Sequence, residues 1–336
     1  MLKTKKDIRE IIKEKTLVLD GAMGTMLQKY NLKEEDFRKG LFKNHKQPLI
    51  GNYDLLSLTY PEIVKEIHRK YFEAGADICK TNTFSGTSVV QADYNLESVV
   101  YDINFQSAKI ARKITDEFTE NDFNKPRYVA GVVGPTNRTV SISSNIHKPI
   151  LSEITFDELV KAYSLQVKAL IEGGVDLLLV ETVFDTLNTK AALNAINTIQ
   201  EELKTNLPVM VSATITNTLG KTLTGETIDS FLDSIAKLPV FSVGLNCVLG
   251  DNQLRQYLKT MSEKALFYVS VHPNAGLPNS FGKYEQTPSM MSSQVDTILK
   301  EGLVNIIGGC CGTTPKHIKM IADSVNKYEV RKTAKI

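Results

Sequence analysis

Three cysteines are the residues of this 336-residue chain best suited to chemistry. Cys310 and Cys311 are adjacent in the stretch IIGGCCGTTP (306–315), and Cys247 ends the run FSVGLNC (241–247). Three thiolates on one zinc ion leave one tetrahedral position open, which is typical of catalytic rather than structural zinc. The alternative is that these cysteines are small buried side chains of the core, where free cysteines are common.

The glycines around the adjacent pair favour a metal site. Successive strand residues point to opposite faces, so two neighbours reach one ion only where the backbone turns sharply. Gly308, Gly309 and Gly312 allow such a turn, because glycine adopts conformations that other residues avoid. The spacing lacks the CxxC pairs of zinc ribbons and fingers. Cys79 lies inside the apolar run ADICKTN, and we predict that it is an ordinary core thiol.

Histidine offers no comparable cluster. His272 lies at the end of an apolar run, but the Pro-Asn that follows makes it as good a candidate for a turn residue as for a ligand. The other four lie in polar loops or helical stretches and are predicted to be solvated: His45, His68, His147 and His317. The chain also lacks a P-loop and a dinucleotide-binding glycine fingerprint.

Eight short apolar runs alternate with amphipathic stretches along the chain. The runs are continuous and rich in β-branched residues, which is typical of parallel strands covered on both faces by helices. Eight such units predict an α/β fold, a (β/α)8 TIM barrel in a single domain. A doubly wound sheet with an extra domain is the alternative, but no linker or composition break divides the chain. The predicted strands are 16–21, 76–82, 128–134, 175–182, 208–214, 241–247, 266–273 and 304–310.

The two ends of the chain are predicted to flank this barrel. Residues 1–15 form an N-terminal capping helix under the barrel floor, and residues 16–327 form the barrel. Residues 328–336 form a charged C-terminal tail that we predict to be frayed.

Polar and glycine residues follow the ends of most predicted strands. Each segment alone is an ordinary turn or helix cap, but in a barrel all of them meet at the C-terminal rim, where barrel active sites lie. That rim would also bring Cys247 to Cys310 and Cys311. The segments are 20–25, 81–84, 134–138, 181–186, 246–247, 272–276 and 308–312.

Composition and charge limit the possible partners. The 40 basic and 38 acidic residues are interspersed and give a net charge of +2, so no basic face predicts nucleic acid and no polybasic cluster predicts a membrane surface. The N-terminus has no apolar signal region, and no run approaches the roughly 18 apolar residues of a membrane span. We therefore expect a cytoplasmic protein with reduced thiols and a small molecule or another protein as partner.

Several longer motifs carry a resemblance to one family. They include LDGAMGTMLQ (19–28), RYVAGVVGPTNRT (127–139), ETVFDTLN (181–188), HPNAGLPN (272–279) and GGCCGTTP (308–315). The sequence resembles the homocysteine S-methyltransferase family over essentially its whole length. Within that family, the GPTNR and ETVFDTLN motifs are more similar to the homocysteine-binding module of cobalamin-dependent methionine synthases than to the betaine-dependent enzymes.

The resemblance implies a TIM barrel and a zinc site. The family's three zinc ligands match Cys247, Cys310 and Cys311, and Asn274 matches its candidate oxygen ligand when no thiol is bound. These cysteines would make the site catalytic, because the open position receives the substrate sulfur.

The resemblance also implies how the amino acid end of homocysteine is held. Asp20 and Glu181 would accept hydrogen bonds from its ammonium group. The backbone N–H groups of Ala22 and Met23 would bind its carboxylate. All four residues belong to motifs that match the family.

The implied reaction is methyl transfer to the zinc-bound homocysteine thiolate, from methylcobalamin, giving methionine. The resembled methionine synthases are long chains whose further domains bind folate and cobalamin, so we expect such domains or a partner subunit to supply the donor. Two alternatives remain: a stand-alone methyltransferase using S-methylmethionine or betaine, and a non-catalytic subunit that binds homocysteine and zinc.

Overall fold

Eight parallel strands form one sheet in this computed structural model, which describes residues 5–140, 152–215, 220–247 and 251–333. Along the sheet the order is β1-β8-β7-β6-β5-β4-β3-β2. A parallel bridge between Leu19 and Ile78 closes the sheet between β1 and β2. The strands are β1 Leu17–Val18, β2 Ile78–Lys80, β3 Tyr128–Val133, β4 Leu177–Val183, β5 Val209–Ala213, β6 Ser242–Asn246, β7 Tyr268–His272 and β8 Ile306–Ile307.

The predicted (β/α)8 barrel is confirmed, and the closure of the sheet rules out the doubly wound alternative. Seven strands fall within their predicted ranges, and β4 extends one residue beyond its predicted end, to Val183. The strands read as continuous apolar runs because both faces are buried. In β4, Leu177 and Leu179 belong to the apolar cluster inside the barrel, whereas Leu178 and Val180 belong to the cluster between sheet and helices.

The helices pack around the outside of the sheet, and local signals set many of their starts. Thr155 and Glu158 form a capping box at α8, and proline occupies the first turn of α5, α12 and α13. A two-stranded parallel sheet joins Arg138–Thr139 to Ser152–Glu153. The α-helices are α1 Ile8–Ile11, α2 Gly24–Gln28, α3 Glu34–Phe37, α4 Leu56–Thr59, α5 Pro61–Glu73, α6 Ser88–Gln91, α7 Val100–Asn121, α8 Phe156–Glu172, α9 Thr186–Glu202, α10 Ile228–Ile235, α11 Asp251–Lys264, α12 Pro288–Lys300 and α13 Pro315–Val325; the 3-10 helices are Gly40–Phe42, Tyr53–Leu55, Ala92–Tyr94 and Glu97–Val99.

The floor of the barrel is filled by the N-terminal segment. Helix α1 is shorter than the predicted helix, but Ile8, Ile11 and Ile12 are buried in the apolar cluster inside the barrel. Residues 1–4 of the predicted capping helix lie outside the described residues. Burial of three isoleucines therefore couples this segment to the lower end of the strands.

The prediction of a frayed C-terminal tail is wrong for its described part. Arg331 is buried, and its guanidinium donates to Ser262 Oγ at 2.7 Å and to Asn305 Oδ1 at 3.1 Å. The Arg331 carbonyl accepts from Asn305 Nδ2 at 2.9 Å. The charged side chain is thus used as an anchor, because its hydrogen bonds are satisfied inside the fold. Residues 334–336 lie outside the described residues.

Two histidines that were predicted to be solvated are buried. His68 lies on the inward face of α5, one turn after Val64, and is 0% exposed. His317 is 5% exposed and its Nε2 lies 2.9 Å from the Gln286 carbonyl. His147 lies outside the described residues. Across the described part of the chain, none of the helices has the length and apolarity to cross a membrane.

Candidate functional site

The three predicted cysteines meet at the C-terminal rim of the barrel. Cys247 follows β6, and Cys310 and Cys311 follow β8. Their sulfur atoms all lie within 4.8 Å of one another, and the Cys247 and Cys310 Sγ atoms are 3.0 Å apart. Cys79 is fully buried and its Sγ lies 3.6 Å from Thr115 Oγ1, so the prediction of a core thiol is confirmed.

The turn that carries Cys310 and Cys311 is fixed by a backbone hydrogen bond and is tightly packed at two glycines, where a side chain would not fit. The Cys310 N–H donates to the Pro273 carbonyl at 2.7 Å. Gly312 has φ +79°, and a Cβ there would lie 2.3 Å from Tyr284 Cβ. A Cβ on Gly309 would lie 2.5 Å from Thr313 Oγ1. Gly312 therefore supplies the left-handed turn, whereas Gly309 supplies a close approach.

Asn246 connects Cys247 to Thr182 of β4, which lies two strands away in the sheet. Its Nδ2 donates to Cys247 Sγ at 3.4 Å and to Thr182 Oγ1 at 2.9 Å. Its Oδ1 accepts from the Thr182 N–H at 3.0 Å and from Ser212 Oγ at 2.8 Å. Thr182 and Cys247 both have left-handed backbones, with φ +61° and +52°, which cost energy for residues with a Cβ. The buried amide thus fixes two strained positions at the rim.

The upper interior of the barrel is polar. Glu181 follows Leu177 and Leu179 on the interior side of β4, and Lys80 follows Ile78 on the interior side of β2. His272 ends β7, is 0% exposed, and its Nε2 lies 3.2 Å from Glu181 Oε2.

Asp20 lies beside Lys80 in this interior. Its Oδ2 accepts from the Lys80 N–H at 2.9 Å, and its Oδ1 is 3.8 Å from Lys80 Nζ, too far for a hydrogen bond. Oδ1 is buried without a hydrogen-bond partner, which is rare for a carboxylate oxygen. This oxygen is therefore an unused hydrogen-bond acceptor beside Lys80.

The two carboxylates differ in pKa. Burial raises the pKa of Asp20 to about 7, although the charge of Lys80 opposes the rise. Burial also acts to raise the pKa of Glu181, but the charge of Lys80 and the hydrogen bond of His272 outweigh it, so that pKa is lowered. Burial lowers the pKa of His272, which keeps the imidazole neutral and makes Nε2 the donor to Glu181.

Ala22 and Met23, predicted to bind the substrate carboxylate, differ in whether their backbone is free to do so. The Ala22 N–H already donates to Thr313 Oγ1 at 3.1 Å. Met23 is the N-cap residue of α2 and lines the cavity described next. Asn274 Oδ1 accepts from the Cys311 N–H at 3.0 Å, so in this structure that oxygen supports the turn of the cysteine pair.

A cavity of about 530 Å³ opens at the rim and includes the cysteine cluster. Glu181 and Lys80 are among the residues that line it. Asp54, which is buried and has a pKa raised by burial to about 7, also lines the cavity. Aromatic and apolar side chains also face the cavity: Tyr53, Phe84, Val90 and Tyr94.

The cysteine cluster fits zinc in donor type and geometry. Four sulfurs at the Zn–S distance of about 2.3 Å around a tetrahedral ion lie roughly 3.8 Å apart, between the 3.0 Å of the Cys247–Cys310 pair and the 4.8 Å limit of the cluster. Hydrogen bonds from the two neighbouring thiols and burial raise the pKa of Cys310 well above its ordinary value. Hydrogen bonds from Cys247 and Cys310 lower the pKa of Cys311. Three thiolates this close require a cation to offset their charge.

Sequence reasoning did not single out Lys80, Asn246, Thr182 or Asp54 as parts of the site. The signal for Lys80 was available, since it lies two residues after Ile78 in an apolar strand and must share its face. Asn246 and Thr182 lie in the strand-end segments 246–247 and 181–186 that were expected at the rim, but their pairing rests on hydrogen bonds across 64 positions of sequence.

Fold and site together define a TIM barrel with a three-cysteine cluster at its catalytic face. The profile of the family described as homocysteine S-methyltransferase matches residues 17–325. The chain therefore belongs to the homocysteine S-methyltransferase family, whose members are methyltransferases.

Solved structures of the homocysteine methyltransferase MmuM from Escherichia coli share this fold. The metallated form gives a TM-score of 0.71 at 21% identity, over 94% of this chain and 98% of that chain. The oxidized form gives 0.70 at 20% identity, over 93% and 97%. The apo form gives 0.66 at 20% identity, over 94% and 97%.

Proposed function

We propose that this protein methylates the sulfur of homocysteine at a zinc ion held by Cys247, Cys310 and Cys311, giving methionine. The observation that carries the proposal is the cluster of three sulfurs within 4.8 Å, which faces the cavity of a homocysteine S-methyltransferase family barrel. A bound zinc supplies an open position at which a substrate thiol, with an ordinary pKa of about 8.5, loses its proton at neutral pH.

The chain's own residues orient the amino acid end of the substrate. Asp20 Oδ1 is a buried acceptor without a donor, and Glu181 is kept ionised by Lys80 and His272. Both carboxylates suit an ammonium group, which is a charge-assisted donor. We assign the carboxylate of homocysteine to the backbone near Met23 rather than Ala22, because the Ala22 N–H already has a partner. The reduced cluster also fits the cytoplasm, where thiols persist.

Methylcobalamin is the donor that we propose, delivered by a cobalamin-binding domain or partner protein alongside folate-binding modules. This assignment rests on the methionine-synthase-like motifs GPTNR (134–138) and ETVFDTLN (181–188). Asn274 remains our proposed oxygen ligand of zinc when no thiol is bound. That role requires its Oδ1 to leave the Cys311 N–H.

A stand-alone methyltransferase is the second candidate, and the cavity favours it. Its volume of about 530 Å³ leaves space beside homocysteine for a small donor. Tyr53, Phe84 and Tyr94 line it together with Asp54. Aromatic faces and a carboxylate suit a cationic donor such as S-methylmethionine or betaine.

Turnover of the zinc-loaded protein tests the proposal. Homocysteine is supplied with methylcobalamin, S-methylmethionine or betaine in parallel, and methionine is measured. Methionine from methylcobalamin alone supports the first candidate, and methionine from a small cationic donor supports the second. Tight homocysteine binding without turnover of any donor would indicate a non-catalytic binding subunit and contradict both.

A further inference from the structure

Lys80 is a buried cation among the anionic groups of the cavity. It is 6% exposed, its Nζ donates to the Gly309 carbonyl at 3.2 Å, and that nitrogen lies 3.8 Å from Asp20 Oδ1. Of the described residues that line the cavity, it is the one lysine, arginine or histidine. A lysine is buried to this extent only where anionic partners offset its loss of hydration.

The surroundings keep this lysine charged. Burial acts to lower the pKa of Lys80, but the opposing charges of Glu181 and Asp20 are the main causes that raise it. Its contact with Gly309 places the ammonium next to the backbone of the cysteine pair. Lys80 therefore presents a permanent positive charge to both carboxylates and to the sulfur cluster.

The ligands of the proposed reaction differ in charge at one atom. Homocysteine and methionine share the same ammonium and carboxylate groups. Homocysteine bound as a thiolate adds a negative charge at sulfur, whereas the sulfur of methionine is a neutral thioether. A cation beside the cluster stabilises the first complex more than the second, because the interaction acts on the sulfur charge.

We propose that Lys80 is the counter-ion of the bound substrate thiolate, a positioning residue that favours homocysteine over methionine in the same cavity. This inference rests on the function proposed above. It assigns to Lys80 a role in substrate selection and in product release, since methyl transfer removes the charge that the lysine stabilises.

Calorimetric titration of zinc-loaded Lys80→Met with homocysteine and with methionine tests this role. We expect homocysteine affinity to fall at least about tenfold, as the loss of one charge partner in a buried site implies, and methionine affinity to change less than about threefold. The matched control is Lys15→Met. Lys15 pairs with Asp77 at 2.7 Å at the opposite end of the barrel, and its loss should leave both affinities unchanged.

Equal losses for the two ligands, or no loss for homocysteine, would overturn the proposal and leave Lys80 a structural residue. If Lys80→Met does not fold, Lys80→Arg provides the test, because it keeps the charge. The ratio of homocysteine to methionine affinity should then match the parent, and a ratio about tenfold smaller would count against the counter-ion role. A parent protein that fails to bind homocysteine would refute the proposed function instead.

Discussion

Each residue of the sulfur cluster has a partner that fixes its position. Asn246 donates to the Cys247 sulfur, the Pro273 carbonyl accepts from the Cys310 N–H, and Asn274 Oδ1 accepts from the Cys311 N–H. Such partners orient ligands before the ion arrives. The chemistry at this scale therefore depends on single atoms, and single substitutions should separate metal binding from substrate binding.

The first prediction concerns the metal ligands. Cys247→Ala, Cys310→Ala and Cys311→Ala should each abolish stoichiometric zinc binding, because two remaining thiolates do not complete the site. Cys79→Ala is the control and should retain zinc, since its sulfur contacts Thr115 in the core. Metal analysis of the purified variants decides between these outcomes, and full zinc content in the Cys310 variant would refute the assignment.

The second prediction concerns the substrate ammonium. Glu181→Gln removes one charge-assisted hydrogen bond worth on the order of 1.5 to 3 kcal/mol, so homocysteine affinity should fall roughly tenfold to hundredfold. Zinc content should stay the same, because Glu181 contacts His272 rather than a cysteine. Calorimetric titration measures the change. An affinity within about twofold of the parent would show that the ammonium is bound elsewhere.

The third prediction concerns the substrate thiol. Near pH 7 free homocysteine is mostly protonated, because its thiol pKa is about 8.5, whereas a metal selects the thiolate. Binding should therefore release protons below that pKa and release fewer as the pH rises through it. The measurement is the dependence of the binding enthalpy on the ionisation heat of the buffer. Binding without proton release would contradict the open-site interpretation.

Elements of the barrel bring the cluster together through strand ends and tight turns. The turn after β8 depends on Gly312, whose left-handed backbone lies against Tyr284, while β6 presents Cys247 through the Asn246 network. Neither element alone forms a site. The two strands must meet at one rim before three sulfurs can share an ion.

The fourth prediction concerns that turn. Gly312→Val combines an unfavourable φ of +79° with a Cβ 2.3 Å from Tyr284, so the cysteine pair must move. We expect zinc affinity to fall roughly tenfold to hundredfold, the range for residues that orient ligands. Gly225→Val is the control, because Gly225 has φ +90° but no atom within 4 Å of its Cβ position. Competition with a chelator measures both, and equal affinities would show that the turn tolerates crowding.

In the whole molecule, the residues that stabilise the fold and those of the candidate site lie at opposite ends of the barrel axis. Apolar side chains fill the lower interior around Ile8, Ile11 and Ile12, whereas Lys80 and Glu181 occupy the upper interior. The lower end can therefore be weakened without touching the site.

The fifth prediction follows from that separation. Ile12→Ala removes a fully buried side chain and should lower the free energy of unfolding by about 2 to 5 kcal/mol. Denaturant unfolding measures the loss. Zinc and homocysteine affinities of the folded variant should match the parent, and a marked loss of either would show that the floor and the rim are coupled.

The sequence by itself determined the strands, the barrel and the cysteines. Continuous apolar runs indicated strands buried on both faces, and cysteines, which can bind metal, lie at the ends of two of those runs. Both signals are local, so one reading of the chain was enough to place Cys247 with Cys310 and Cys311. The family motifs then indicated homocysteine as the substrate.

Only the tertiary structure decided how the remaining residues are used. The Ala22 N–H is taken by Thr313, 291 positions away, and Arg331 anchors a tail that composition predicts to be frayed. Lys80 lies beside Asp20 because the closure of the sheet brings the end of β1 next to β2. Such contacts form between segments that are distant in sequence. Their geometry depends on tertiary packing, so a local pattern of residues does not predict them.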